Sequence, residues 1–271
     1  MDEVNDMKRM VLMGLMVLLA MGAAACGADN TDSWTTIEER GYFVVGLDDT
    51  FAPMGFRNEQ DELVGFDVDL AKEVASRLGL EVRFQPIDWD AKVLELDAKN
   101  IDVIWNGLTI TEPRKLEMLF SQPYLANRQV VIVRGSSNIA TLSDLSGKKV
   151  GVQIASAAEE AVSASAVSAT FAQLVKYDNY ATALFELRQG LVDAIVIDEI
   201  MGRYLIAQIE DDLDVLLEDF GAEEYGIGFR LGDETFRDRV QEALREMFED
   251  GTTAEIAQAW FGADVFLDPN A

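Results

Sequence analysis

From Tyr42 onward the chain alternates short β-like runs with amphipathic helical stretches, and it does so twice. "YFVVGL" reads as a buried strand, a short apolar run rich in β-branched and aromatic residues. In "DVDLAKEVASRLGL" the apolar Leu70, Ala71, Val74, Ala75 and Leu78 share one helix face, and Gly79 ends it. "EVRFQPI" predicts a second strand, "DAKVLELDAK" a helix and "IDVIWN" a third strand. A second set follows: strands "KKVGVQI", "QLVKY", "DAIVID" and "EEYGIGFR", with helices "AAEEAVSASAV", "YATALFELRQ" and "EIMGRYLIAQIE". Two more helices close the chain over residues 233–250 and 252–261, with Gly251 between them and a capping box of Thr252 and Glu255. The alternation predicts an α/β fold with parallel sheets covered by helices. Two such assemblies in 271 residues predict two lobes.

In open α/β sheets ligands bind beyond the carboxyl ends of strands. The residues expected there are Asp48, Trp89, the run from Asn106 through Gly107 to Thr109, Ser156 and Asp198. Arg114, in "WNGLTITEPRK", offers a rigid fork of donors suited to a carboxylate. Asn106, Thr109 and the Gly107 backbone supply neutral hydrogen bonds beside it, and Asp198 an acceptor for an ammonium group. Phe51 and Trp89 present flat apolar faces, and Asp48 a second acceptor. Carboxylate, ammonium and a side chain between them describe an α-amino acid.

Composition narrows the alternatives. Histidine is absent and Cys26 is the single cysteine, which removes histidine-based triads, Cys/His zinc sites and intramolecular disulfides. Any enzyme would work with carboxylates, Lys, Tyr or Ser. No cofactor or metal is implied. Against 49 acids stand 22 bases, a net charge of −27 that repels phosphate backbones and excludes nucleic acid as a partner. Lys8 and Arg9 precede "MVLMGLMVLLAMGAAAC", too short for a membrane span and suited to a secretory signal over residues 1–25. Its end resembles a bacterial lipobox, although Ala23 stands where that pattern prefers leucine. The resemblance implies lipidation of Cys26 and a tether over 26–36.

Seven blocks resemble, in order, the family 3 extracellular solute-binding proteins, the polar amino-acid receptors of ABC importers. "GFDVDLAKEVASRL" matches the family signature position by position. "GLDDTFAPMGF", "NIDVIWNGLTITEPRK", "FSQPYLANRQVVIV", "LSGKKVGVQIAS", "GLVDAIVIDE" and "YGIGFR" extend the resemblance over 37–261. It implies a two-lobed periplasmic-binding-protein fold of type II, with the ligand in the cleft between lobes joined by two hinge strands. Lobe 1 would comprise 37–126 and 224–271, lobe 2 127–223, with crossings at 125–129 and 222–225. It further implies that Arg114 holds the ligand carboxylate with Thr109 and Ser156, and that Asp198 and the Gly107 carbonyl meet the ammonium. Asp48, Phe51 and Trp89 would line the side-chain subsite. One stretch departs from the pattern: Ala155, then Ser156, Ala157 and Ala158, stand where glycine followed by Thr or Ser is usual, so lobe 2 supplies fewer side-chain donors.

The resulting expectation is a non-enzymatic, monomeric binding protein, outside the cytoplasmic membrane and tethered by lipid. It would deliver a polar L-amino acid, glutamine first and then arginine or lysine, to a membrane permease. The alternative is a dehydratase on the same scaffold acting on a cyclic carboxylic acid, with Asp48, Asp198 or Glu199 as general acid.

Overall fold

The computed structural model describes residues 32–209 and 212–269; the expected signal segment and Cys26 lie outside them. In chain order the elements are α1 (Trp34–Arg40), β1 (Tyr42–Leu47), β2 (Thr50–Phe51), β3 (Gly55–Arg57), β4 (Leu63–Val64), α2 (Phe66–Leu78), β5 (Glu81–Pro86), α3 (Lys92–Asp97) and β6 (Val103–Thr109). Then come α4 (Glu112–Lys115), β7 (Met118–Phe120), β8 (Leu125–Arg134), β9 (Lys149–Gln153), α5 (Ala157–Ala164), β10 (Gln173–Tyr177) and α6 (Tyr180–Gln189). The remainder is β11 (Ala194–Asp198), α7 (Glu199–Ala207), β12 (Leu213–Arg230), α8 (Glu234–Glu249) and α9 (Thr252–Phe261).

The sheet is mixed rather than wholly parallel. Its path runs β10-β9-β11-β8-β12-β6-β1-β5, with β7 also paired to β12. Pairing is parallel on both flanks, β5 with β1 and β1 with β6 on one side, β9 with β10 and β11 on the other. It is antiparallel in the middle, where β8 and β12 join the two groups. Ala222–Tyr225 pair with Leu125–Arg128, within the stretches where the sequence places the crossings.

Strand β12 begins at Leu213, far ahead of the expected "EEYGIGFR". Its first half, "LDVLLEDFG", mixes apolar residues with acids and carries Gly221, without a regular alternation. Backbone pairing to β8 holds it extended despite register shifts near Asp219. A small sheet of β2, β3 and β4 is likewise unforeseen, since strands of two or three residues carry no periodic signal.

Two local expectations need correction. Helix α1 starts inside the stretch read as tether, because Trp34 stacks on Phe236 at 6.1 Å and Ser33 N donates to Asp233 Oδ1 at 2.8 Å. At α9 the capping box does not form: Gly251 is the N-cap, and Thr252 Oγ1 donates backwards to Asp250 Oδ1 at 2.6 Å. Elsewhere the apolar faces do what their spacing predicts. Leu70, Ala71, Val74 and Ala75 of α2 are all buried, against a core that includes Phe43, Trp105 and Phe229. Each fully buried large side chain contributes about 1.5–3 kcal/mol.

Candidate functional site

Arg114 is fixed by a helix of four residues. Thr111 caps α4 by accepting from Arg114 N at 3.4 Å, and Pro113 presets the first turn. The guanidinium is buried, 3% exposed, in a chain whose surface is acidic. Its Nη1 donates to the Thr109 carbonyl at 2.9 Å and its Nη2 to the Ala155 carbonyl at 3.2 Å. Glu160 stands 3.8 Å from Nε. Burial pulls the Arg114 pKa down, opposed by Glu160 and the other acids around it.

A second cation converges on the same carbonyl. Lys92 Nζ donates to Ala155 O at 2.9 Å and to Trp89 O at 3.0 Å, and lies 5.0 Å from the Trp89 ring centroid. Burial, then the positive charge of Arg114, pushes its pKa down to about 7. Ala155 itself adopts φ +54, in the left-handed region that favours glycine. That turn aims one carbonyl at two cations.

Beside this cationic group, across Thr109, the charges reverse. Asp198 ends β11, and its Oδ1 accepts from Asn127 Nδ2 at 2.7 Å, Gln129 Nε2 at 3.0 Å and Tyr225 OH at 2.7 Å. Glu223 Oε1 accepts from the same two amides, at 2.6 and 2.8 Å, and from Thr109 Oγ1 at 3.0 Å. Burial, then Glu223 beside it, pushes the Asp198 pKa up to about 8.

Asn106, Gly107 and Thr109 lie within β6 rather than after it, since the strand runs on to Thr109. Gly107 has φ +57, and a Cβ there would meet Phe51 Cε1 at 3.0 Å and Tyr225 Cε2 at 3.1 Å. Only glycine suits both the torsion and the gap. Its N–H donates to Asp67 Oδ2 at 2.7 Å, which also accepts from Tyr124 OH at 2.9 Å. Burial pushes the Asp67 carboxyl up to about 7.

Asp48 follows β1. Its Oδ1 accepts from Thr50 N and Oγ1 at 2.9 and 2.6 Å, a turn of the kind aspartate favours. Its Oδ2 accepts from Gln153 Nε2 at 2.8 Å, across from β9. Asn106 Oδ1 accepts from Asp48 N at 3.0 Å, and Asn106 Nδ2 is buried with no hydrogen-bond partner among the described residues. Phe51 lies 6.4 Å from the Tyr180 ring, and Trp89 is buried in a 3₁₀ turn. Asp48 and Trp89 line a pocket of about 360 Å³ with Asp178 and Asn179.

Thus Asp48, Phe51, Asn106, Gly107, Thr109 and Asp198 are linked by direct bonds or through shared neighbours, and Arg114 and Trp89 connect through Ala155 and Lys92. Ser156 is nearby but its hydroxyl is committed: it accepts from Glu159 N at 3.1 Å as the N-cap of α5 and donates to Gln153 O at 2.7 Å. Sequence reasoning missed Lys92, Glu223, Asn127, Gln129 and Gln153. The available signal was a polar residue inside a strand, such as Gln153 in "KKVGVQI".

A family model described as bacterial extracellular solute-binding proteins, family 3, matches residues 43–263. The L-cystine-binding protein TcyJ of Escherichia coli K12 is 35% identical over 260 residues, covering 95% of this chain and 97% of that one. Among solved structures, a substrate-binding protein of an ABC uptake transporter from Streptococcus pneumoniae with bound histidine superposes with a TM-score of 0.84 at 34% identity, covering 87% of this chain and 98% of that one. An ancestral arginine-binding protein bound to glutamine gives 0.77 at 41% identity, with 82% and 99% covered.

Proposed function

The chain belongs to the bacterial extracellular solute-binding proteins, family 3, and from that membership we propose that it binds one free polar L-amino acid between two lobes and delivers it to an ABC permease. The observation that carries this reading is a pair of buried cations beside a pair of acids. Arg114 and Lys92 converge on the Ala155 carbonyl, Asp198 and Glu223 on the amides of Asn127 and Gln129, and Thr109 bonds to both groups. Such an arrangement is complementary to a zwitterion, whose own charges compensate groups that are costly to bury unpaired. Arg114 takes the carboxylate with Thr109, while Asp198 and the Gly107 carbonyl take the ammonium. Ser156 contributes by capping the loop rather than by a free hydroxyl.

Asp48, between Phe51 and Trp89, selects a side chain ending in an N–H donor. Glutamine and arginine both meet that condition, and the ancestral arginine-binding protein has been solved with each. L-Cystine meets it through its distal ammonium, and Lys92, bonded to the Trp89 carbonyl, supplies a cation for the second carboxylate. Residues 37–126 and 224–271 form one lobe and 127–223 the other. Cys26 carries the lipid, and the protein works as a monomer without performing chemistry on its ligand.

Calorimetric titration with L-glutamine, L-arginine, L-histidine and L-cystine tests the reading. Micromolar binding, about −8 kcal/mol, is expected for at least one, and no heat from any of them across the panel rejects it.

A further inference from the structure

The hinge strands do more than connect. Asn127 and Gln129 project from β8, Glu223 and Tyr225 from β12, and together they surround the Asp198 carboxylate. Asp198 Oδ1 and Glu223 Oε1 are bound by the same two amide nitrogens, which brings two carboxylates side by side. Asp198 is buried and Glu223 half-buried. Two acids so placed cannot both ionise cheaply unless a cation joins them; otherwise they hold a proton between them.

We propose that Asp198 and Glu223 act as one proton-sharing pair that seats the ligand ammonium and releases its proton to solvent when the ammonium arrives. The inference rests on the amino-acid reading above. The protein starts with one carboxylic acid and one carboxylate. The ligand enters as an ammonium ion, the shared proton leaves to buffer, and both carboxylates then face the bound cation. Burial and the neighbouring Glu223 raise the Asp198 pKa in the direction this requires.

The surroundings leave the pair as the titrating unit. Thr109 from β6 donates to Glu223, and Tyr225 from β12 to Asp198; burial raises the Tyr225 pKa well above its ordinary value. Arg114 from α4 and Tyr180 from α6 act on the pair through space. Glu199, next in sequence, is engaged by Arg128 at 2.7 Å and by Arg203 at 2.7 Å. A surface pocket of about 520 Å³, lined by Thr109, Gln129 and Glu223, gives the proton a route out.

The test is calorimetry with the amino acid of the four-member panel that binds best, in phosphate and in MOPS between about pH 6 and 8. The two buffers take up protons with different heats, so release appears as a buffer-dependent enthalpy. Release approaching one proton per ligand is expected, with Kd weakening about tenfold for each pH unit below the pair's apparent value. Glu223→Gln should bind more weakly and lose the buffer dependence, and Asp198→Asn should do the same, providing the second variant if the first does not fold. Binding with identical enthalpy in both buffers overturns the inference while leaving the proposed function standing. No binding of any panel member overturns both.

Discussion

At the scale of single residues, the site is built from groups that are expensive to leave alone. Arg114→Ala removes the fork from a buried position; ligand binding should weaken by about 2–5 kcal/mol while thermal unfolding stays cooperative. Binding as tight as wild type would remove Arg114 from the site. Ala155 carries a different cost. Its left-handed torsion disfavours any Cβ by about 1–2 kcal/mol, and glycine relieves this but loses about 0.5–1 kcal/mol of chain entropy. Ala155→Gly should therefore raise stability by up to about 1.5 kcal/mol in denaturant melts. Lys92 has a pH signature. Its folded pKa, about 7, lies below the unfolded value of 10.5, so the unfolded chain binds more protons between them and stability rises with pH across that window. Lys92→Met should lose that rise, as urea melts at pH 7 and pH 10 would show.

Among the elements, β6 depends most on what packs behind it. The Gly107 turn is held by Asp67 from α2, whose folded pKa, about 7, exceeds the unfolded 3.8. This carboxyl therefore contributes stability that declines as pH rises from about 4 to 7. Asp67→Asn should flatten that decline in a pH series of melts; an unchanged slope would place its cause in another group. Helices α2 and α6 and the flank strands were legible in the sequence because their apolar spacing repeats within one element. The first half of β12 was not, since its extended form comes from pairing with β8. Nor were Asn127, Gln129 and Glu223. A polar residue in a strand reads as a solvent face, and only the partner strand shows that these three turn towards Asp198. Arg114 was legible from its setting after "NGLTIT", and Lys92 was not, because "DAKVLELDAK" reads as an ordinary exposed helix.

For the whole molecule, bonds across the cleft join the two groups of strands directly: Gln153 to Asp48, and both Lys92 and Arg114 to the Ala155 carbonyl. A bound zwitterion adds to them, so ligand at about 100 times Kd should raise unfolding stability by about 2.7 kcal/mol, read as a shift in the melting temperature. The net charge of −27 works against compactness through self-repulsion, and melting temperature should also climb with added salt at low ionic strength. The central strands β8 and β12 have one more consequence. With the lobe boundaries proposed above, Asn127, Gln129, Glu223 and Tyr225 belong to the segments that bend when the lobes part, and they are also the residues gathered around Asp198. On that proposal, ligand choice and mechanical compliance are written in the same few codons. A lineage that altered one of these side chains to accept a new nutrient would retune, by the same substitution, how readily the jaws open and how fast they let go.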